Sequence, residues 1–205
     1  LACASGFSLT SSDENVRNQT IKRLEEYTDM AAVLGSVVII GSIRGKAADP
    51  KDYEGYENLL IRELRIAADY AQKKNVTLVL EVINHYELTF LNNAGQVKAF
   101  LEKLDRPNVK MHLDTYHMNL EETSMTKPIY ECESWIGHVH AADNTRSYPG
   151  SGTLDFDKIT KALQNIGYEG AFSMECLPVP DSDTAICEGL ATLKKTVNVV
   201  DSTSV

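Results

Sequence analysis

The chain has 205 residues, of which 43% are hydrophobic and 24% charged, and its formal net charge is −9. This composition predicts a folded core without disordered tracts, and the acidic balance argues against a nucleic-acid partner, which requires a basic surface. No apolar stretch reaches membrane-spanning length, residues 1–12 lack the basic start of a signal peptide, and the four cysteines show no paired spacing, so we expect a cytoplasmic protein.

Strand-like apolar runs alternate with helical patterns along the whole chain. The apolar runs are Leu1–Gly6, Val37–Gly41, Val76–Glu81, Val109–Asp114, Ile136–His140 and Ala171–Glu175. Apolar residues that recur at three- and four-residue steps predict helices between these runs. The helical segments are Val16–Leu34, Tyr53–Lys74, Asn93–Leu104, Phe156–Ile166 and Ile186–Val197. The alternation predicts a parallel α/β fold in one domain over residues 1–205.

Helix ends carry recognisable signals. Ser11 and Glu14 have the spacing of a capping box, and Asn93 is the expected N-cap of its helix. Asn75 follows another predicted helix and is a residue type that tolerates the left-handed position there.

Four of the apolar runs end in a residue that can bind a metal ion, namely Glu81, Asp114, His140 and Glu175. In a parallel α/β barrel the catalytic groups stand at the C-terminal ends of several strands. A single carboxylate at a strand end is more often a helix cap or a solvated loop residue. Four in successive units predict one divalent-metal site, and this oxygen-rich set favours manganese, magnesium or cobalt over structural zinc.

The residues around these ligands carry a family resemblance. The chain reads EVINHYE at 81–87, DTYHMN at 114–119 and GHVH at 137–140, with Arg146 and the turn PGSG downstream. This resembles the D-tagatose 3-epimerase and D-psicose 3-epimerase group of the xylose-isomerase-like barrels. The resemblance extends over nearly the whole chain and is most specific at residues 114–119 and in the spacing from His140 to Arg146.

The resemblance implies a (β/α)8 TIM barrel and an isomerase that interconverts the C3 epimers of a ketose, free or phosphorylated, through a cis-enediolate. Glu81 and Glu175 match the acid/base pair, which also binds the metal together with Asp114 and His140. The expected ion is manganese, with cobalt or magnesium as alternatives. The matching substrate-binding residues are Glu87, His117 and Arg146. We expect a homo-oligomer, either a dimer or a tetramer.

Two further histidines, His112 and His138, stand two residues before Asp114 and His140. Side chains two residues apart on a strand share a face, so both should lie inside the barrel. We expect them to orient the ligands rather than to bind the metal.

The number of strands is too small for a closed barrel, because six runs are found where eight strands are needed. Barrels of this type have about 250 residues, so the difference corresponds to two strand–helix units. We therefore expect an N-terminally incomplete barrel that lacks its first two units, with Leu1–Gly6 as the third strand. A partner that supplies the missing strands, or a six-unit half-open barrel, are the alternatives.

Other functions fit parts of the pattern. A hydroxypyruvate-isomerase-like aldose–ketose isomerase would use the same metal and enediol chemistry, and a non-catalytic sugar-binding remnant would retain the fold alone. An endonuclease-IV-like phosphodiesterase requires several zinc ions and a basic groove, which five histidines and a charge of −9 disfavour. The loop GSIRGK at 41–46 is basic, so Arg44 and Lys46 either bind a substrate phosphate or lie on a solvated loop.

Overall fold

The computed structural model describes residues 6–46 and 51–201, with side chains up to residue 197. In this part of the chain the helices are α1 (Glu14–Leu34), α2 (Tyr53–Lys73), α3 (Ala94–Leu104), α4 (Thr115–Glu121), α5 (Lys127–Glu131), α6 (Phe156–Asn165) and α7 (Ser182–Asp201), and the strands are β1 (Val38–Ile40), β2 (Leu78–Glu81), β3 (Val109–Asp114), β4 (Ile136–Ala141) and β5 (Phe172–Met174). Short 3-10 turns occupy Ser42–Arg44 and Glu133–Trp135. The predicted strand Leu1–Gly6 lies outside the described residues except for Gly6.

Strand order follows chain order from β1 to β5, and each connection passes through helical segments. This is an α/β fold with five parallel strands among the described residues, as the alternating pattern predicted, and it agrees with the TIM-barrel type that the resemblance implies. The chain divides into two compact units, Leu1–His112 (unit 1) and Leu113–Val205 (unit 2). The single domain over residues 1–205 stays a prediction.

Unit 1 pairs β1 with β2 and β2 with β3, both in parallel. The register places Ile40 beside Leu80 and Glu81 beside His112. Every residue of β1 and β2 is buried, as expected of strands covered on both faces. Helix α1 packs against α2, and α2 against α3. Each Leu or Ile that is fully buried in this way stabilises the fold by about 1.5–3 kcal/mol.

Unit 2 pairs β4 with β5 in parallel, with His140 beside Ser173. Helix α4 packs against β4, and α6 packs against α5 and α7. The start of α4 is fixed to the end of β4 by Thr115, whose hydroxyl donates to the Ala142 carbonyl at 2.6 Å and accepts from the Ala142 amide at 2.9 Å. The end of β4 and the beginning of α4 are therefore held together by two buried hydrogen bonds.

The helix-end signals predicted at Asn75 and Asn93 agree with the structure, whereas the one predicted at α1 does not. Asn93 caps α3 by accepting from the Gln96 amide at 2.9 Å, and Asn75 has a φ of 55°, so both predictions are confirmed. The N-cap of α1 is Asp13, whose carboxylate accepts from the Asn15 amide at 2.8 Å. The Ser11 prediction is wrong, because its hydroxyl instead accepts from the Asp13 amide, before the helix begins.

Within the described ranges, no helix is sufficiently long and apolar to cross a bilayer. Cys132, Cys176 and Cys187 are free thiols. The cytoplasmic location stays a prediction.

Candidate metal centre and substrate-binding residues

Asp114 ends β3 and is also the N-cap of α4. Its Oδ1 accepts from the Tyr116 amide at 2.7 Å and the His117 amide at 3.3 Å. The side chain is fully buried, and Oδ2 has no hydrogen-bond partner among the described residues. Burial raises the pKa of Asp114 to about 6, against the opposing charge of His140. A buried carboxylate oxygen without a donor is unfavourable unless a cation binds it, so Asp114 fits a metal ligand.

His140, on β4, lies close to two other predicted ligands, Asp114 and Glu175. Its Nδ1 is 3.8 Å from Asp114 Oδ2 and 3.5 Å from Glu175 Oε2. Donor atoms that bind one ion at about 2.1 Å lie at most about 4.2 Å apart, and both separations satisfy this limit. Unit 2 thus brings three of the four predicted ligands together.

Glu175 directly follows β5, and its amide donates to the Ala141 carbonyl at 3.2 Å. Its side chain is 45% exposed, in contrast to the buried Asp114. Hydrogen bonding to His140 lowers the pKa of Glu175, with help from the charges of His140 and Arg146 and against the effect of burial. The carboxylate is therefore ionised at neutral pH and accessible from solvent.

Arg146, a predicted substrate-binding residue, lies beside Glu175. Its Nη2 is 3.6 Å from Glu175 Oε2, and its guanidinium lies over the Tyr116 ring at 5.0 Å. The Arg146 carbonyl accepts from the Leu177 amide at 2.7 Å, which joins the loop after β4 to the segment after β5. The guanidinium can thus donate to an oxygen of a ligand bound at Glu175.

The loop that carries Arg146 is built around Asp143, a residue whose role was not inferred from the sequence. Asp143 is fully buried, and its Oδ1 accepts from the amides of Asn144 at 2.9 Å and Leu154 at 3.1 Å. Its Oδ2 accepts from the Gly150 amide at 2.9 Å. Three amides spread over the loop therefore converge on one carboxylate.

Two histidines complete the unit 2 cluster. His117, another predicted substrate-binding residue, is buried on α4, and its charge contributes to the lowered pKa of Glu175. The His138 ring lies edge-on to His140 at 5.0 Å, and its Nε2 is 3.0 Å from Ser173 Oγ. Burial lowers the pKa of His138 to about 4, so its ring is neutral at pH 7. A neutral ring packed on His140 agrees with the expected orienting role.

Glu81, the fourth predicted ligand, is the last residue of β2 in unit 1 and is 8% exposed. Gly41, at the end of β1, is the residue that leaves room for its carboxylate. A Cβ at Gly41 would lie 2.4 Å from Glu81 Oε2, which is closer than nonbonded atoms approach. Any larger residue at Gly41 would displace the Glu81 side chain.

Glu87, the predicted substrate-binding residue of unit 1, is oriented by Asn84. The Asn84 Oδ1 accepts from the amides of Tyr86 at 3.0 Å and Glu87 at 3.2 Å. The Asn84 amide group donates in turn to Glu87 Oε1 at 3.1 Å. Asn84 therefore fixes both the backbone and the carboxylate of Glu87.

Arg44 does not have the role predicted for it. Its side chain is fully buried, and its guanidinium donates to the carbonyl oxygens of Glu81, of Phe90 at 3.0 Å and of Leu91 at 3.2 Å. Burial lowers the pKa of Arg44, against the charges of Tyr56 and Glu81. Both sequence interpretations, a phosphate ligand and a solvated loop residue, are wrong for Arg44, whereas Lys46 is exposed.

The chain is similar to a known protein family and to individual relatives within it. Residues 1–196 match the model of the xylose isomerase-like TIM barrel family. The chain is 35% identical over 178 residues to the L-ribulose 3-epimerase of Methylomonas sp. (strain DH-1). It is 38% identical over 170 residues to the ketose 3-epimerase of Arthrobacter globiformis. These alignments cover 85% and 82% of the chain but 62% and 58% of the two relatives, so the chain spans about three fifths of their length.

The chain is also similar in fold to solved structures of two epimerases. The D-allulose 3-epimerase from Methylomonas sp. in complex with D-allulose aligns with a TM-score of 0.79 at 28% identity, covering 97% of this chain and 74% of that one. The D-psicose 3-epimerase from Clostridium cellulolyticum H10 with D-tagatose aligns with a TM-score of 0.84 at 26% identity, covering 97% of this chain and 76% of that one.

Proposed function

Because the chain belongs to the xylose isomerase-like TIM barrel family, we propose that it is a divalent-metal-dependent ketose 3-epimerase. The observation that carries this proposal is the group of Asp114, His140 and Glu175, in which the buried Asp114 Oδ2 has no hydrogen-bond partner among the described residues. The curated relatives named above are themselves ketose 3-epimerases, which favours this reaction over others that the fold supports.

The metal would be held by the four ligands that the sequence predicts, Glu81 of unit 1 and Asp114, His140 and Glu175 of unit 2. In unit 1 Glu81 pairs with His112, and Asp114 is the second residue after His112 along the same strand. Bound there, a manganese ion, or cobalt or magnesium, would act as a Lewis acid toward negative charge on the sugar oxygens. Three carboxylates and one imidazole suit these hard or borderline ions.

Glu81 and Glu175 would move the proton at C3. Epimerisation requires one group on each face of the carbon, so that the proton leaves toward one side and returns from the other. Glu175 is available to accept a proton because its lowered pKa keeps it ionised at neutral pH and its carboxylate is accessible. Glu81 is buried at the end of β2, and its carboxylate lies against Gly41, where a side chain would displace it.

Arg146, His117 and Glu87 would hold the sugar hydroxyls. Arg146 supplies donors beside Glu175, and Glu87 offers an acceptor that Asn84 orients. Because the Arg44 guanidinium is occupied by backbone carbonyls, the chain offers less for a phosphate than its sequence suggested. We therefore favour an unphosphorylated ketose as substrate. The homo-oligomeric state, dimer or tetramer, stays a prediction.

Turnover in heavy water tests this function. With manganese and a panel of ketoses, the product should carry deuterium at C3, because the proton removed on one face is not the one delivered on the other. Glu81→Gln and Glu175→Gln should each lose about a hundredfold to ten-thousandfold in rate. Glu188→Gln, at an exposed position of α7, is the matched control and should retain wild-type activity.

The competing outcomes are distinct. Label at C1 or C2 with interconversion of aldose and ketose would identify an aldose–ketose isomerase instead. Sugar binding without turnover in the presence of manganese would favour the non-catalytic remnant. Near-normal activity of both Gln variants would exclude the two-carboxylate mechanism.

A further inference from the structure

We propose that Arg44 is a positioning residue that clamps the loop after β2, residues 82–92, and thereby fixes Glu81 and Glu87 relative to each other. The proposal rests on the function proposed above, in which Glu81 moves a proton and Glu87 holds the sugar. All residues that carry it belong to unit 1.

The guanidinium joins the two ends of this loop. One terminal nitrogen donates to the carbonyl of Glu81, the residue before the loop begins. The other donates to the carbonyls of Phe90 and Leu91, where the loop ends. The residue before the loop and two residues near its end are thus bound to the same planar group.

Arg44 is itself firmly held. It lies in the 3-10 turn after β1, where its amide donates to the Gly41 carbonyl at 3.1 Å. Its carbonyl accepts from the Thr10 hydroxyl at 2.8 Å, and the next carbonyl, of Gly45, accepts from the Tyr56 hydroxyl at 2.8 Å. Gly41 also leaves room for the Glu81 carboxylate, so the same short turn contacts both the backbone and the side chain of Glu81.

Apart from the Arg44 contacts, the Val82 amide donates to the His112 carbonyl of β3 at 3.0 Å, and the other hydrogen bonds described below lie within the loop. Asn92 donates to the carbonyls of Ile83 at 2.8 Å and Leu88 at 2.7 Å, and Asn84 organises the turn that carries Glu87. Leu91 has a φ of 61°, a left-handed conformation that is unfavourable for leucine, and its carbonyl is one of those bound by Arg44. The internal bonds shape the loop, and Arg44 fixes it to the strand end.

Only arginine provides this arrangement. The guanidinium is planar and permanently charged and has five donors in fixed directions, so it can serve carbonyls on two sides at once. A lysine keeps the charge as a single point and cannot bridge both ends of the loop in the same way. The geometry of the donor, in addition to its charge, is what the site uses.

The test compares Arg44→Met and Arg44→Lys with Arg65→Met. Arg65 is the matched control because it also donates to two backbone carbonyls, of Leu104 at 3.0 Å and Lys103 at 2.9 Å, but on helix α3. One readout is the thermal midpoint. The others are kcat, KM for the ketose and amide hydrogen exchange of residues 82–92, measured at a temperature where each variant is folded.

We expect Arg44→Met to lower kcat about a hundredfold, the loss typical of a misplaced catalytic group, and to raise KM. Exchange should increase in residues 82–92. Arg65→Met should lower the thermal midpoint without changing kcat, KM or exchange in that loop. Because an uncharged residue at this buried site can prevent folding, Arg44→Lys carries the same test and should show an intermediate loss of kcat with increased exchange.

Unchanged exchange in residues 82–92, or kcat and KM within about twofold of wild type in a folded Arg44 variant, would overturn the proposal. A wild-type protein without epimerase activity would instead remove the proposed function. The exchange measurement would then still decide whether Arg44 clamps the loop, so the two failures are distinguishable.

Discussion

The loop after β2 and the loop after β4 each carry a predicted substrate-binding residue, Glu87 in one and Arg146 in the other, and each is organised by one buried ionisable side chain. These two side chains carry opposite charges. Arg44 gathers backbone carbonyls in unit 1, whereas Asp143 gathers backbone amides in unit 2. Buried backbone groups must find partners, so the charge required depends on whether the loop leaves carbonyls or amides unpaired.

The two loops also differ in where the organising residue comes from. Arg44 is 37, 46 and 47 positions away from its three carbonyl partners. Asp143 is only 1, 7 and 11 positions away from its amide partners. The loop after β4 is therefore organised locally, while the loop after β2 depends on a separate strand–helix unit. The following variants probe this difference.

Asp143→Asn should have the largest effect on stability. The new amide group would face the Gly150 amide as a second donor, leaving a buried N–H without an acceptor. We expect the free energy of unfolding to fall by about 3 kcal/mol, measured by urea denaturation. Amide exchange should increase in residues 144–154 and remain unchanged in residues 82–92, the reverse of the Arg44 result.

Asp157→Asn is the matched control for Asp143→Asn, because Asp157 is exposed on α6. Its cost should stay below about 1 kcal/mol, the value of a charge at a helix N-terminus. Equal losses from the two substitutions would show that the acceptor geometry of Asp143 is unimportant and that the loops do not differ as described.

Gly152→Ala should have a smaller effect in the same loop. A Cβ at Gly152 would lie 2.1 Å from Asn144 Oδ1 and 2.4 Å from Asp143 Oδ1, so the carboxylate must shift or the loop must open. We expect a loss of about 1–3 kcal/mol in the free energy of unfolding, the usual cost of overpacking. Gly95→Ala on α3 is the control: its Cβ meets only Asn93 Oδ1 at 3.4 Å, so it should stabilise by about 0.5–1 kcal/mol. A Gly152→Ala protein as stable as wild type would mean that the loop is not wrapped tightly around Asp143.

Tyr168→Phe should have the smallest effect, because it removes a single hydrogen bond of an uncharged group to a carbonyl three residues away. The Tyr168 hydroxyl donates to the Ala171 carbonyl at 2.9 Å, and burial raises its pKa to about 12. Loss of one neutral hydrogen bond should cost about 0.5–1.5 kcal/mol at pH 7. In the wild-type protein this contribution is complete below about pH 10, the unfolded value, and is lost as the pH rises toward 12.

Urea denaturation of both proteins at pH 7 and at about pH 11 measures this effect. The stability difference between wild type and Tyr168→Phe should shrink at the higher pH, because only the wild type has a phenol to ionise. A difference that is constant with pH would show that the Tyr168 hydroxyl is not shielded from solvent.

The sequence predicted the strand ends well and the loop organisation poorly. Asp114, His140 and Glu175 could be identified because a strand end is defined by a local apolar pattern, and parallel strands bring such ends to one edge. Arg44 could not, since a basic residue after a strand resembles an anion ligand until its carbonyl partners arrive from distant parts of the chain. The role of Asp143 could not be inferred either, because its hydrogen bonds depend on how the following loop folds back. The Ser11 cap failed for a smaller reason, namely that Asp13 stands one residue before the helix and competes for the same role.

Asp114 combines two roles in one side chain. One of its oxygens begins helix α4, and the other is the one offered to a cation. Replacement by Glu would preserve charge and ligand chemistry, which makes it the mildest exchange at most carboxylate positions. Here the extra methylene would move the carboxylate away from the Tyr116 and His117 amides, and Glu is not among the preferred N-cap residues. The start of helix α4 and the proposed binding of an ion thus depend on the same side chain, so a substitution at Asp114 would affect both.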